Sequence, residues 1–213
     1  MYGLYHRQCR RQILARIFHW QSVSVHGQVT GSCAVPPNDK EELPIVTATT
    51  RLFIGLGANL TPAGFATPQA GCEAALKMLG TLGVKIVKTS PWYESAPVPP
   101  SDQPWYLNAV AEGVTAFDAA KTLAVLHQVE AHFGRQRSTR NAARVLDLDL
   151  LDFGGQIHHH SYLTLPHPRL HERAFVLLPL RDLVDDWTHP ETGTPLDALI
   201  TQLPAGQLIR RAA

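Results

Sequence analysis

Two aspartates alternate with leucines in the stretch Leu146-Asp-Leu-Asp-Leu150. Because side chains alternate along a strand, Asp147 and Asp149 would share one face, roughly 6 to 7 Å apart. Aspartate is a poor strand former, and two neighbouring carboxylates repel each other. Such a pair is typical of a magnesium site, in which waters and substrate phosphates complete the coordination. A solvent-exposed polar strand face is the alternative interpretation.

A cluster of arginines precedes this strand, and no acidic residue stands within the cluster. Its members are Arg135, Arg137, Arg140 and Arg144. Guanidinium groups match phosphate oxygens in geometry and charge, and arginines beside a carboxylate-bound cation are typical of phosphoryl transfer. A solvated basic turn is the alternative, but together with the aspartate pair the cluster favours phosphate binding.

Two further pairs are candidates for ligand contacts. Tyr106 and Asn108 are two apart on a predicted strand, where a tyrosine and an amide can stack on and hydrogen-bond a flat heterocycle; core packing of Tyr106 is the alternative. His167 and Arg173 follow a proline turn, where a structural role is the alternative. The histidines at 158–160 lack a spacing that converges on a metal, so a loop is predicted there.

Common nucleotide-binding motifs are absent. Gly55-Leu-Gly-Ala-Asn-Leu60 has leucine in place of the third glycine of a dinucleotide fingerprint, and the P-loop pattern does not occur. Neither a Rossmann nor a P-loop nucleotide site is supported.

Composition indicates a globular protein without a global attraction to nucleic acid or membrane. The 213 residues are 45% hydrophobic and 17% charged, with a formal net charge of +1. The three cysteines are far apart, which predicts neither a disulfide framework nor a cysteine zinc site and favours a reducing compartment. No apolar run approaches the ~20 residues of a membrane-spanning helix.

The first 38 residues contain four arginines and no acidic residue. We predict a basic, disordered extension over residues 1–48 and a single domain over residues 49–213. An organelle transit peptide is an alternative for the leader, as is a start codon assigned too far upstream. The expected location is the cytoplasm, or an organelle if the leader is a transit peptide.

The order of predicted elements is strand, helix, strand, strand, helix, strand. Hydrophobic patterns and caps place the strands at Leu52–Leu56, Val84–Lys88, Tyr106–Thr115 and Arg144–Phe153, with helices beginning after Thr67 and Asp118. Helices are also expected near 173–180 and 195–203. The βαββαβ order predicts an α+β fold of the ferredoxin-like sandwich type, in α/β/α layers with C-terminal helical additions.

Several motifs together resemble one enzyme family, the 6-hydroxymethyl-7,8-dihydropterin pyrophosphokinases of folate biosynthesis. They are Gly55-Leu-Gly-Ala-Asn59, Ser90-Pro-Trp-Tyr-Glu-Ser-Ala-Pro97, Asp102-Gln-Pro-Trp-Tyr-Leu-Asn108, Leu146-Asp-Leu-Asp149 after the arginine loop, and Leu165-Pro-His-Pro-Arg169. The resemblance runs in order from about Arg51 to the C-terminus. It implies a ferredoxin-like α/β/α fold and transfer of the β,γ-diphosphate of ATP to the pterin hydroxymethyl oxygen, with release of AMP.

The resemblance also implies two magnesium ions and roles for individual residues. Apart from the resemblance, we predict a monomer that binds neither nucleic acid nor membrane. Asp147 and Asp149 would bind Mg²⁺ and, with Arg135 and Arg144, form the catalytic set. The expected pterin contacts are Ser95, Pro97, Val98, Tyr106, Asn108 and Phe175. The expected ATP contacts are Gln128, Glu130, Arg135, Arg137, Arg144, His167 and Arg173.

One departure from the family concerns the loop before the aspartate strand. Members often carry Trp-Gly-Pro-Arg there, whereas this chain has Asn141-Ala-Ala-Arg144. A loop tryptophan that would help to close the site is therefore absent, and Trp92 or Trp105 are candidates to replace it. A nucleic-acid-binding module and a catalytically inactive relative are the rival interpretations; the neutral charge opposes the first, and the intact aspartate pair opposes the second.

Overall fold

A six-stranded antiparallel sheet forms the centre of the molecule, whose computed structural model describes residues 48–135 and 143–212. The strands are β1 (Thr50–Ala58), β2 (Val84–Thr89), β3 (Tyr93–Ser95), β4 (Tyr106–Thr115), β5 (Asp147–Phe153) and β8 (Ile209–Arg211). Strand β1 pairs with both β4 and β5, and β4 also pairs with β2 and β3. Strand β8 extends the sheet by pairing with β3.

Helices α1 (Pro68–Thr81) and α2 (Ala119–His132) cover one face of the sheet. Both begin where the sequence predicts, because the Thr67 hydroxyl accepts a hydrogen bond from Ala70 N at 3.1 Å and the Asp118 carboxylate accepts one from Lys121 N at 2.7 Å. The two helices bury the alternate β1 side chains Leu52, Ile54 and Leu56 in the larger core.

Helices α3 (Ala174–Arg181) and α4 (Leu196–Thr201) cover the opposite face. Side chains of the intervening sheet positions, such as Phe53, Val110 and Leu151, pack with them in a second core. Burial on both faces explains why these strands are almost continuously apolar. The architecture is α+β, with helices on both faces of one sheet, and the predicted C-terminal helices are present.

The strand that carries the aspartates begins later than predicted. Its predicted start is Arg144, but β5 begins at Asp147. The backbone of Arg144 is engaged elsewhere, because its N–H donates to Asn59 Oδ1 at 2.7 Å and its carbonyl accepts from Asn59 N at 2.9 Å. The chain therefore crosses the end of β1 before it joins the sheet.

The prediction of a loop at the histidine run is wrong. His158–His160 forms strand β6, which pairs with β7 (Leu163–Leu165) in a separate hairpin. The ring of His160 stacks on Tyr162, with centroids 5.4 Å apart. Among residues 48–135 and 143–212, no three His, Cys, Asp or Glu side chains form a group that could hold a metal ion.

The predicted N-terminal extension lies outside the described residues, apart from residue 48. Within the described ranges, no helix has the length and apolar character needed to span a bilayer.

Candidate active site

A cavity of about 620 Å³ opens where β1, β4 and β5 end side by side. Strand β4 contributes Tyr106 and Asn108 to its wall, and β5 contributes Asp147 and Asp149. The remaining wall comes from the segment after β3, from the start of α3 and from the turn at 204–207. Side chains that the sequence predicts for a heterocycle and for a cation thus line one cavity.

Asp147 lies between two arginines. Arg135 and Arg144 each place a terminal guanidinium nitrogen against one of its two carboxylate oxygens. The acidic partners of these two arginines thus lie outside the arginine cluster, which contains no acidic residue of its own. Within the described residues, Asp147 Oδ1 is buried and contacts Arg135 as an ion pair without forming a well-aligned hydrogen bond.

Asp149 is the second carboxylate of the cavity, and its neighbours are more distant. Arg173 Nη1 lies 3.6 Å and His167 Nε2 lies 3.9 Å from Asp149 Oδ2. Burial, reinforced by the negative charge of Asp147, raises the pKa of Asp149 above its ordinary value, although the cationic neighbours oppose this shift. Burial lowers the pKa of His167, which favours its neutral form at pH 7.

The carboxylate of Glu130 holds Arg135 in place from behind the cavity. Glu130 is almost fully buried on α2, pairs with Arg135, and accepts a hydrogen bond from Leu148 N at 2.8 Å. Between α2 and Arg135, Gly134 adopts a φ of 85°, a left-handed conformation that favours glycine. This turn ends the helix and directs the chain toward the aspartate strand.

The polar side chains of β4 belong to a hydrogen-bond network. Asn108 Nδ2 donates to Ser95 Oγ at 2.9 Å and to Tyr106 O at 3.1 Å. The Tyr106 hydroxyl donates to Gln103 Oε1 at 3.1 Å. Phe175 lies across the cavity on α3, with the Arg173 guanidinium 5.5 Å from its ring centroid. Two aromatic rings and an oriented amide therefore line one end of the cavity.

Not every predicted site residue reaches the cavity wall. The wall includes Ser95, Pro97, Val98, Tyr106, Asn108, Arg144, Asp147, Asp149, Arg173 and Phe175. Arg135 and His167 contact the two aspartates without being part of the wall. Gln128 is exposed on α2, Glu130 is buried behind Arg135, and Arg137 lies outside the described residues.

Two polar residues near the cavity were not among the predicted site residues. Asn59, which is 5% exposed, donates from Nδ2 to Gln103 Oε1 at 3.2 Å and to Pro104 O at 3.3 Å, besides binding the Arg144 backbone. It thus joins the end of β1 to the segments that carry Arg144 and Tyr106. Asn59 and Gln103 stand within the motifs that carry the family resemblance, which is the signal that could have identified them.

The carboxylate pair fits a magnesium ion that shares its coordination with a substrate. Asp147 has a buried oxygen without a hydrogen bond, and both carboxylates border an open cavity. Mg²⁺ is typically held by one or two carboxylates, with phosphate oxygens and waters filling the other positions.

Comparison with known proteins gives one consistent result. Residues 53–185 match the family model described as 7,8-dihydro-6-hydroxymethylpterin-pyrophosphokinase (HPPK). A 2-amino-4-hydroxy-6-hydroxymethyldihydropteridine pyrophosphokinase of Haemophilus influenzae is 40% identical over 141 residues, which cover 66% of this chain and 85% of the relative. The Pseudomonas aeruginosa protein of the same name is 38% identical over 155 residues, 72% of this chain and 92% of the relative.

A solved structure is similar in fold. The Plasmodium falciparum HPPK-DHPS A437G with STZ-DHP superposes with a TM-score of 0.58 at 13% identity, over 75% of this chain. The match covers 46% of the Plasmodium chain, so this chain spans less than half of that protein.

Proposed function

This chain belongs to the 7,8-dihydro-6-hydroxymethylpterin-pyrophosphokinase family and is an ATP-dependent pyrophosphokinase of folate biosynthesis; from this we propose that the cavity beside Asp147 and Asp149 is its active site. The observation that supports the proposal is the grouping, in one cavity, of a carboxylate pair, arginines, two aromatic rings and a buried amide. We also propose that the sheet and helices form the ferredoxin-like sandwich of the family.

Asp147 and Asp149 are proposed to hold two Mg²⁺ ions together with ATP. When bound, the ions neutralise charge on the phosphate oxygens and align the β-phosphate for attack. The position of both carboxylates on the cavity wall supports this role, as does the raised pKa of Asp149, because a bound cation would offset the burial and the repulsion that raise it.

The cationic side chains around the aspartates are proposed to bind the triphosphate. Arg135, Arg144 and Arg173 lie within ion-pair distance of one aspartate or the other. His167, neutral at pH 7, can donate a hydrogen bond from one ring nitrogen. Arg137, Gln128 and Glu130 remain proposed for the nucleotide side, Glu130 acting through Arg135.

The aromatic end of the cavity is proposed to bind the pterin. Tyr106 and Phe175 provide flat surfaces for the bicyclic ring, and Asn108 provides an amide already oriented by Ser95. Pro97 and Val98 form the outer wall, and Val98 is 66% exposed, so this side faces the entrance.

The reaction then needs alignment more than acid-base chemistry. The pterin hydroxymethyl oxygen attacks the β-phosphorus of ATP, the bond from that phosphorus to the α,β-bridging oxygen breaks, AMP leaves, and the hydroxyl proton passes to solvent. The arginines compensate the charge that develops on the departing AMP oxygen. The enzyme is proposed to act as a monomer in the cytoplasm, or in an organelle if residues 1–48 are a transit peptide.

The first prediction tests the carboxylates. Release of AMP is measured with ATP, Mg²⁺ and hydroxymethyldihydropterin for the double variant Asp147→Asn/Asp149→Asn. We expect kcat to fall at least about 1,000-fold, since the charges that hold the metals are lost while the side-chain shapes are kept.

The matched control is Asp185→Asn/Asp186→Asn, which removes two neighbouring exposed carboxylates after α3 and causes the same change in net charge. This control should retain wild-type activity. Full turnover by the double variant at 147 and 149 would show that the metal site lies elsewhere.

A further inference from the structure

The N-terminus of α3 lacks a cap from its own sequence. Its N-cap residue is Arg173, whose side chain makes no capping hydrogen bond. Instead, the guanidinium of Arg173 lies 3.6 Å from the Asp149 carboxylate and beside the Phe175 ring. A short polar side chain would ordinarily cap this position. The helix that presents two proposed substrate contacts therefore begins without local support.

Gln207, which is 33 residues further along the chain, supplies the missing cap. Its Oε1 accepts a hydrogen bond from Ala174 N at 2.9 Å, the first backbone N–H of α3. Its Nε2 donates to Glu172 O at 2.9 Å. One amide thus binds the backbone on both sides of Arg173, immediately before Phe175.

The segment that carries Gln207 is itself attached to the other wall of the cavity. Leu208 O accepts a hydrogen bond from Ala96 N at 3.0 Å, and β8 then pairs with β3. At the end of β8, Arg211 binds Asp182 Oδ1 at 2.6 Å and the Tyr93 hydroxyl at 3.1 Å. The C-terminal segment therefore joins the wall next to Ser95 to the wall that holds Phe175.

We propose that Gln207 is a positioning residue for pterin binding, acting by capping α3 and thereby fixing Phe175 and Arg173. The inference rests on the proposed roles of those two residues. Capping by Gln207 leaves the side chain of Arg173 available for the phosphate side of the cavity. It also fixes the distance of the Phe175 ring from Tyr106, which sets the width of the proposed pterin slot.

The test compares the KM for pterin, the KM for ATP and kcat in Gln207 variants. For Gln207→Ala we expect the pterin KM to rise about tenfold and the ATP KM to rise about threefold at most, because other cationic groups also hold the triphosphate. Gln207→Glu should lie between Gln207→Ala and wild type, since its carboxylate can still accept the Ala174 N–H but loses the donor to Glu172 O.

The controls separate positioning from general destabilisation. Gln202→Ala removes an exposed glutamine from the same segment and should leave both KM values unchanged. In a Phe175→Ala background, Gln207→Ala should raise the pterin KM less than twofold further, because the ring that it positions is gone. A full tenfold effect in that background, or no effect in the wild-type background, would overturn the inference.

A wrong assignment of the pterin site and a wrong role for Gln207 give different KM values in these variants. If Phe175→Ala leaves the pterin KM unchanged, the assignment of the pterin slot is wrong, and the inference about Gln207 falls with it. If Phe175→Ala raises the pterin KM but Gln207→Ala does not, only the positioning role is wrong.

Discussion

At the scale of single residues, the proposed active site is defined by two neighbouring carboxylates with unequal partners. Asp147 contacts two arginines, whereas Asp149 has only more distant cationic neighbours, and its pKa is raised by burial and by the charge of Asp147. A hydrogen bond to every carboxylate oxygen would stabilise the charged form and lower the pKa. Such hydrogen bonds would also occupy the lone pairs that a metal ion needs. If the proposed metal site is correct, a bound cation would relieve the repulsion between the two carboxylates.

The second prediction follows from the direction of this shift. A raised pKa means that Asp149 keeps its proton to a higher pH than an ordinary aspartate, so protons compete with Mg²⁺ as the pH falls. We expect the Kd for Mg²⁺, measured by calorimetry with a non-hydrolysable ATP analogue, to rise as the pH falls.

Asp149→Asn should bind Mg²⁺ more weakly at pH 8 and show a flatter pH dependence. The phosphates of the analogue also titrate in this range. Their effect on the Kd for Mg²⁺ is measured with the free analogue at each pH and subtracted. An identical pH dependence in the wild type and in Asp149→Asn would contradict the role of this carboxylate.

At the scale of secondary-structure elements, short connections from distant parts of the chain hold the site together. Asn59 joins β1 to the segment of Arg144, and Asp152 on β5 accepts a hydrogen bond from Trp187 Nε1 at 2.8 Å, which ties the sheet to the C-terminal layer. The turn after Trp187 depends in a similar way on one buried histidine. His189 is 3% exposed, and its Nδ1 accepts from Glu191 N and Thr192 N, each at 3.3 Å.

The third prediction concerns the pH dependence of stability that this histidine causes. Burial, together with the nearby His171, lowers the pKa of His189 below the ordinary 6.5. The unfolded chain therefore takes up the proton first, so the contribution of His189 to stability is present above pH 6.5 and is lost as the pH falls below it. Protonation also removes the acceptor of two backbone N–H groups.

His189→Asn should flatten this dependence, because an asparagine oxygen can accept the same N–H groups without titrating. We expect Tm at pH 7 to fall by about 2 to 6 °C from lost packing against Trp187, and the further loss between pH 7 and pH 5.5 to be smaller than in the wild type. His132→Asn, at an exposed position on α2, is the control. An unchanged slope in His189→Asn would show that other groups cause the pH dependence.

At the scale of the whole molecule, the cavity lining found among residues 48–135 and 143–212 comes from positions between Gly55 and Gln207. The two cores, one on each face of the sheet, are formed within the same ranges by residues from Leu52 to Leu203. We therefore expect the region from β1 onward to carry the proposed site and to fold by itself.

The fourth prediction follows from this distribution. A variant that begins at residue 48 should fold, release AMP with a kcat within about twofold of the full chain, and keep the same KM values. Circular dichroism and the AMP assay measure both properties. A loss of activity in a variant that remains folded would show that residues 1–47 contribute to catalysis.

Much of the fold and part of the site could be predicted from local sequence patterns. The alternation in β4 and β5 indicated which side chains share a face, and Thr67 and Asp118 marked both helix starts within one residue. These features depend on strand periodicity and on hydrogen bonds between near neighbours, which any stretch of sequence displays directly. The family resemblance added the chemical identity of the substrates, which no periodicity contains.

Only the tertiary structure decided how the site is held. Asn59 binds Arg144 across 85 residues, and Gln207 caps a helix 33 residues before it. The strands β3 and β8 have three residues each, too few for an alternating pattern to be recognised, and pair only because the chain returns to the sheet edge. The aspartates and arginines were evident from residue types, because their chemistry is intrinsic. The residues that hold them in place, Asn59 and Gln207, were not evident from their types. A side-chain amide caps a helix or joins two segments only where the fold brings a backbone N–H or carbonyl within about 3 Å of it.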